Sequence, residues 1–333
     1  MKTETKDLLP VIDRFRGIRV AVWGDFILDE YVYGNTRRIS REAPVLILSY
    51  RDSEYHLGGA GNSLNNLKAL GACPVPVGVL GRDSAGDDIV EILRSLGVPT
   101  SGLFRENKSL TPLKSRILAG EDNTRKQQIL RIDREGQVPR TAALGKKLEA
   151  ALGKLALTCR ALLVSDYNHM TVREDVFQNV LPAYQKSGLP VTLDSRFRLL
   201  EFKGGIIATP NEPEVEQALQ MEIRGDSALL KQAASAVLKK TGSPALLITR
   251  GSRGMALFEK GKAPLFLPIF GTTDIVDVTG AGDTVISVFT LALAAGATPR
   301  QAAVLANHAG GIVVMKKGAA TLTPDELKQA VQS

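Results

Sequence analysis

The chain has 333 residues, 44% of them hydrophobic and 23% charged, with a formal net charge of +7. That length buries a large core, as one α/β domain or as two, and no stretch reaches the roughly 18 apolar residues of a membrane span. With only 5% aromatic residues and no long Lys/Arg block, nucleic acid is a poor partner, and the positive charge reads first as a plain solvated surface and next as a match for phosphorylated small molecules.

In chain order, MKTETKDLLP mixes charges and lacks the apolar core of a signal peptide. Cys73 and Cys159, the only cysteines, offer neither metal spacing nor a disulfide framework, so the cytoplasm is the expected compartment. RVAVWGD (19–25) reads as the first buried strand, with Asp25 at its carboxyl end. Residues 31–57 then carry strand-like patches without an intervening helix, and NSLNNLKALG follows as a helix. A second run of strand-like patches spans 112–132, with a hairpin-like turn at Gly120–Asn123. ALLVSDY (161–167), PVTLDS (190–195), GIIATPN (205–211) and ALLITRG (245–251) are further buried strands. VREDVFQNVLPAYQKSG and DSALLKQAASAVLKKTG are helices between them. Such alternation predicts a mostly parallel sheet with helices on both faces, and ligands then sit beyond the carboxyl ends of the strands. The segments 31–57 and 112–132 read as a small separate sheet, either a lid over that edge or a plain extension of it.

VDVTGAGDTV (276–285) opens an almost uncharged helical stretch. Small residues at Gly280, Ala281 and Gly282 let a ligand approach the backbone, and the helix N-terminus favours an anion there. Asp283 beside a bound phosphoryl group makes little sense as a ligand, because like charges repel. It makes sense as the base that takes a proton from an attacking hydroxyl. Its plainer reading is a helix cap. Asn211 and Glu214 in TPNEPEVEQ stand one helical turn apart, where they can reach a triphosphate and the waters of Mg²⁺ or form a capping box.

Several motifs in order carry a family resemblance. DVTGAGDT, GGAGNSLNNLKALGA (58–72) and VGVLGRDSAGDDIVEILRSLGV (77–98) resemble the ribokinase-like (PfkB) carbohydrate kinases, from Asp25 to about Asn307. GDFILDEYVYGNTRRISREAPV (24–45), QQILRIDRE (127–135), SDY (165–167) and TRGSRGMALFEKGKAP (249–264) are most similar to the bacterial heptose-7-phosphate kinases of lipopolysaccharide-precursor synthesis.

The resemblance implies one kinase domain over 1–333. Its fold would be three-layer ribokinase-like α/β, with a central, mostly parallel sheet and a small β-sheet lid from 31–57 and 112–132. It implies ATP and Mg²⁺ as cofactors, leaves room for a monovalent cation, and suggests a homodimer joined through the lid. Asp283 would be the catalytic base, with Gly280, Ala281 and Gly282 shaping an anion hole. Asp25, Gly58, Gly59 and Asn62 would meet the sugar. Asn211, Glu214, Thr249, Arg250, Gly251, Gly254 and Asn307 would line the nucleotide site, and Glu214 would hold Mg²⁺ through water.

Arg38, Arg41, Lys114, Arg116 and Arg131 are candidates to hold a substrate phosphate, since guanidinium forks suit that task. The chain departs from the heptose kinases at Asn168-His169-Met170, usually Gly-Lys-Gly-like, and at Asp194-Ser195-Arg196, usually Asp-Pro-Lys. The expected reaction is phosphorylation of a heptose 7-phosphate at its anomeric hydroxyl. Another sugar, sugar phosphate or nucleoside is the alternative acceptor, and a catalytically silent sugar- or nucleotide-binding relative is the alternative class.

Overall fold

The computed structural model describes residues 8–120, 126–271 and 276–333. In chain order its strands are β1 (Arg19–Gly24), β2 (Phe26–Ile39), β3 (Leu46–Gly59), β4 (Cys73–Gly81), β5 (Leu103–Glu106), β6 (Leu113–Gly120) and β7 (Gln127–Arg134). There follow β8 (Ala161–Asp166), β9 (Val191–Ser195), β10 (Ile207–Ala208), β11 (Ala245–Thr249), β12 (Met255–Glu259) and β13 (Leu265–Leu267).

Side-chain alternation along the central strands builds the layers. In β1, Val20 and Val22 enter one apolar cluster while Ala21 and Trp23 enter the other; β8 divides Ala161 and Leu163 from Leu162 and Val164 in the same way. Strands buried on both faces need helices on both. Helices 60–69, 84–95, 281–294 and 299–313 contribute to the first cluster, and 142–155, 174–186 and 227–241 to the second. The result is the expected ribokinase-like α/β arrangement.

The large sheet runs β13-β12-β11-β10-β9-β8-β1-β4-β5. It is parallel from β11 to β5, with β12 and β13 antiparallel at one edge. From β1 the chain moves to β4 on one side and later returns to β8 on the other. The carboxyl ends of β1 and β8 therefore flank a switch point, where open α/β sheets bind ligands. The strand expected at 205–211 shrinks to Ile207–Ala208, because Gly204 and Gly205 precede it in left-handed conformations and Pro210 follows.

The small sheet is ordered β3-β2-β6-β7, and both expected lid segments build it. β2 pairs antiparallel with β3 and parallel with β6, which pairs antiparallel with β7. The turn expected at Gly120–Asn123 lies, beyond Gly120, outside the described residues. Cross-strand register places Asp29, Tyr31, Lys114, Arg116 and Arg131 on one face of the lid, and Val32, Ile117, Leu130 and Ile132 on the other.

Candidate active site

The helix Ala281–Ala294 is apolar because it is enclosed; Val285, Ile286, Val288, Phe289 and Leu291 are all buried. Its first turn projects to the carboxyl edge of the sheet. Gly280 is its N-cap residue, in a left-handed conformation at φ 74°. A side chain there would also run into the Asn62 amide. Asp283 does not cap the helix.

The Asp283 carboxyl group, only 4% exposed, is gripped from two sides. Asn62 donates its amide to Oδ2 at 2.8 Å, and Tyr167 its hydroxyl to Oδ1 at 3.1 Å, with Ser63 Oγ 3.4 Å from the same oxygen. Burial pushes the Asp283 pKa up to about 6, against the lowering pull of the Asn62 and Tyr167 hydrogen bonds. A carboxylate near pH 6 in an enclosed pocket is suited to accept a proton at neutral pH. Gly282 is exposed, and a methyl group built on it would meet no protein atom within 4 Å. In the first turn, Ala281 N–H donates to the Val278 carbonyl at 3.2 Å and Thr284 N–H to the Gly280 carbonyl at 3.0 Å, so the N–H groups of Gly282 and Asp283 are the ones placed to meet an anion.

Beside Gly282 lies a mostly apolar cleft lined by Thr249, Gly251, Gly254, Phe270, Ala281 and Asn307, among others. The strand–turn–strand of β11 and β12 thus comes to the site as expected. Asn307 lines the cleft while donating to the Pro268 carbonyl at 2.8 Å. Arg250 does not face the cleft as a free cation. It pairs with buried Glu212 at 3.3 Å, and Arg253 pairs with the same carboxylate at 3.0 Å.

Asn211 and Glu214 form a complete capping box, each side chain on the other's backbone N–H at 2.8 Å. Burial raises the Glu214 pKa, and Asp194 at the end of β9 is raised well above the ordinary range by burial and then by the Glu214 and Asp283 charges. Mutually repelling carboxylates of this kind suit a cation. Among the described residues no three carboxylate, histidine or cysteine side chains gather closely enough to hold a metal alone.

Other residues expected to bind substrate have different partners. Asp25 accepts three backbone N–H groups, from Tyr167, His169 and Thr171, at 2.9–3.1 Å. The Asn62 amide is committed to Asp283, and its oxygen to Asn66 at 3.3 Å. Side chains at Gly58 and Gly59 would strike the Asp29 carboxylate and the Asp25 carbonyl, so close packing of protein already requires glycine at both.

The basic candidates divide by position. Arg116 pairs with Asp29 at 2.6 Å, and Lys114 lies 5.4 Å from the centre of the Tyr167 ring, so both reach the site. Arg131 stands opposite Arg116 in register, exposed and paired with Asp133. Arg38 and Arg41 are exposed at the far end of the hairpin. Nine residues of strand separate Asp29 from Arg38, roughly 30 Å at ~3.3 Å per residue, too far to share one phosphate with Arg116. Asp29, Tyr167 and Asp194 were not anticipated as site residues. The second acid of GDFILDE was visible, but not that the lid would turn it toward Asp283.

A buried carboxylate at a helix N-terminus, beside an apolar cleft and beneath a charged sheet, is an arrangement suited to phosphoryl transfer onto a hydroxyl. A family model described as pfkB family carbohydrate kinase matches residues 18–326, and the chain belongs to that family. It is 39% identical over 326 residues to the Bifunctional protein HldE of Desulfatibacillum aliphaticivorans, covering 96% of this chain and 64% of that protein. The corresponding protein of Geotalea uraniireducens is 37% identical over 325 residues, covering 97% of this chain and 65% of that one. The chain thus spans somewhat under two thirds of the length of these relatives.

Among solved structures, Arabidopsis thaliana ribokinase complexed with ribose and ATP aligns with a TM-score of 0.70 at 22% identity, covering 96% of this chain and 99% of that one. The tetrameric inhibited form of Escherichia coli phosphofructokinase-2 aligns at 0.74 and 17%, covering 95% and 98%. No helix among the described residues is long and apolar enough to cross a membrane.

Proposed function

We propose that residues 1–333 form one kinase domain, which transfers the γ-phosphoryl group of ATP to the anomeric hydroxyl of a heptose 7-phosphate in the supply of lipopolysaccharide precursors. The observation that carries the reaction is the buried Asp283 carboxylate, poised near pH 6 at the mouth of a helix whose Gly282 faces open space. Asp283 takes the proton of the attacking hydroxyl, and the N–H groups of Gly282 and Asp283 meet the charge that develops on the transferred phosphoryl. Glu214 and Asp194 would hold Mg²⁺ through its waters, and the ion would supply charge neutralisation for the triphosphate. Lys114 and Arg116 hold the acceptor's phosphate under the lid, which excludes water and suppresses ATP hydrolysis.

The name carried by relatives at 35–39% identity supports the heptose reading. The use of ATP is the reason to place the protein in the cytoplasm. The apolar outer face of the lid, with Leu130 and Ile132 54% and 56% exposed, supports pairing with a second copy through the lid.

A panel of sugar phosphates scored for ADP release in ATP and Mg²⁺ tests the assignment. Heptose 7-phosphate should be turned over far better than the unphosphorylated heptose. Equal use of both sugars would remove the 7-phosphate reading and leave the kinase.

A further inference from the structure

A general base must be aimed as well as buried, and the aim of Asp283 depends on a residue outside the expected set. We propose that Tyr167 is a positioning residue, whose hydroxyl fixes the Asp283 carboxylate toward the acceptor, and that the loop 167–171 is its rigid mount. The inference rests on Asp283 being the base.

Both carboxylate oxygens carry a short side-chain donor, Tyr167 on Oδ1 and Asn62 on Oδ2. Two donors on opposite oxygens stop the group from turning and leave lone pairs for the incoming proton. Asn62 sits in a helix. Tyr167 sits in a loop, and a loop aims a side chain only if its backbone is fixed.

The fixing is extensive. Asp25 takes the N–H groups of residues 167, 169 and 171, and Asp166 takes that of Asn168 at 3.1 Å. Asp166 is held in turn by Arg198 at 2.6 Å and Ser195 at 2.7 Å, while Val138 donates to the His169 carbonyl at 3.1 Å. Asn168 and Met170 are left-handed, at φ 66° and 71°. Side chains other than glycine rarely adopt that region, and such strain persists only where the surroundings over-determine the backbone. Here the two carboxylates over-determine it.

The groups facing Asp283 come from four elements: Asn62 and Ser63 from the helix 60–69, Tyr167 from the loop, Asp29 from the lid and Asp194 from β9. Cations act on the tyrosine, with Lys114 over its ring and Arg196 beside it. Removing only the Tyr167 hydroxyl leaves this set otherwise intact.

The test compares the full-length protein with Tyr167→Phe. Aspartate carboxyls are labelled with ¹³C, and the Asp283 resonance is assigned by its loss in Asp283→Asn. A donor to a charged acceptor sets the scale, so the Asp283 midpoint should rise by about one pH unit. The acid limb of kcat/KM should move with it, and kcat should fall about tenfold even at pH 8, with the KM for ATP unchanged. A midpoint and pH profile that match the parent, with kcat within twofold, would overturn the proposal. The carboxyl titration needs no acceptor, so a parent that ignores heptose 7-phosphate refutes the substrate assignment without touching this one.

Discussion

Replacing Asp283 with Asn should abolish transfer while making the ligand-free protein more stable at alkaline pH. A carboxylate whose pKa rises on folding from 3.8 to about 6 costs the folded state stability whenever it is ionised. The difference corresponds to about 3 kcal/mol. The cost is fully present above about pH 6 and fades as pH falls toward 3.8, where the folded protein holds a neutral carboxyl. Asparagine never carries the charge, but its nitrogen cannot accept the hydrogen bonds that one carboxylate oxygen accepts, a loss of about 1 kcal/mol. The variant should therefore be more stable by ~2 kcal/mol at pH 8, a Tm rise of roughly 3 °C for a chain of this size. It should be slightly less stable than the parent at pH 4. Thermal melts at pH 4, 6 and 8 read the crossing, and ADP release reads a loss of at least ~10²-fold. Parallel melting profiles across that range would show that the carboxylate is not buried as a charge, and retained turnover would show that it is not the base.

The neighbouring glycines should respond in opposite ways. Gly282→Ala places its methyl group in open space, so the Tm should hold or rise slightly while the KM for ATP climbs; an unchanged KM would empty the anion hole of meaning. Gly280→Ala combines a left-handed backbone with a collision against Asn62, and should lower both Tm and kcat. Arg116→Ala should raise the KM of a phosphorylated acceptor roughly tenfold to a hundredfold, whereas Arg41→Ala should leave it unchanged; equal effects would contradict the geometry of the lid. Ile132→Lys should convert a lid-paired dimer to monomers in light scattering, and a parent mass of 35.8 kDa at micromolar concentration would remove the dimer altogether.

What sequence could disclose depended on whether a residue's partner lay nearby in the chain. Five strands of the large sheet, β1 and β8 to β11, were legible because apolar runs such as ALLVSD are buried on both faces, which needs no knowledge of the neighbours. Asn211 and Glu214 were legible as a cap because the box closes within four residues. Asp283 was legible from its Gly-Ala-Gly setting. Its partners were not: Asn62 lies 221 positions away and Tyr167 116. Gly58 and Gly59 looked like room for a ligand but make room for Asp29 and the Asp25 carbonyl, and a glycine does not reveal which neighbour demands it.

Asp25 shows how the site divides its labour. A carboxylate at the carboxyl end of β1, beside the switch point, reads as a ligand residue, and its oxygens also accept three N–H groups from the loop 167–171. Its strand neighbour across the switch, β8, ends in Asp166, another buried carboxylate spent on the same loop, with Arg198 supplying the compensating charge. Two acids thus stiffen the floor, while the donors on Asp283 come from side chains, Asn62, Ser63 and Tyr167, rather than from loop backbone. Asp25→Asn separates the roles. It removes an acceptor from the loop without touching the cleft, so it should lower Tm and kcat and leave the acceptor's KM nearly unchanged. A selective rise in that KM at an unaltered Tm would return Asp25 to the sugar.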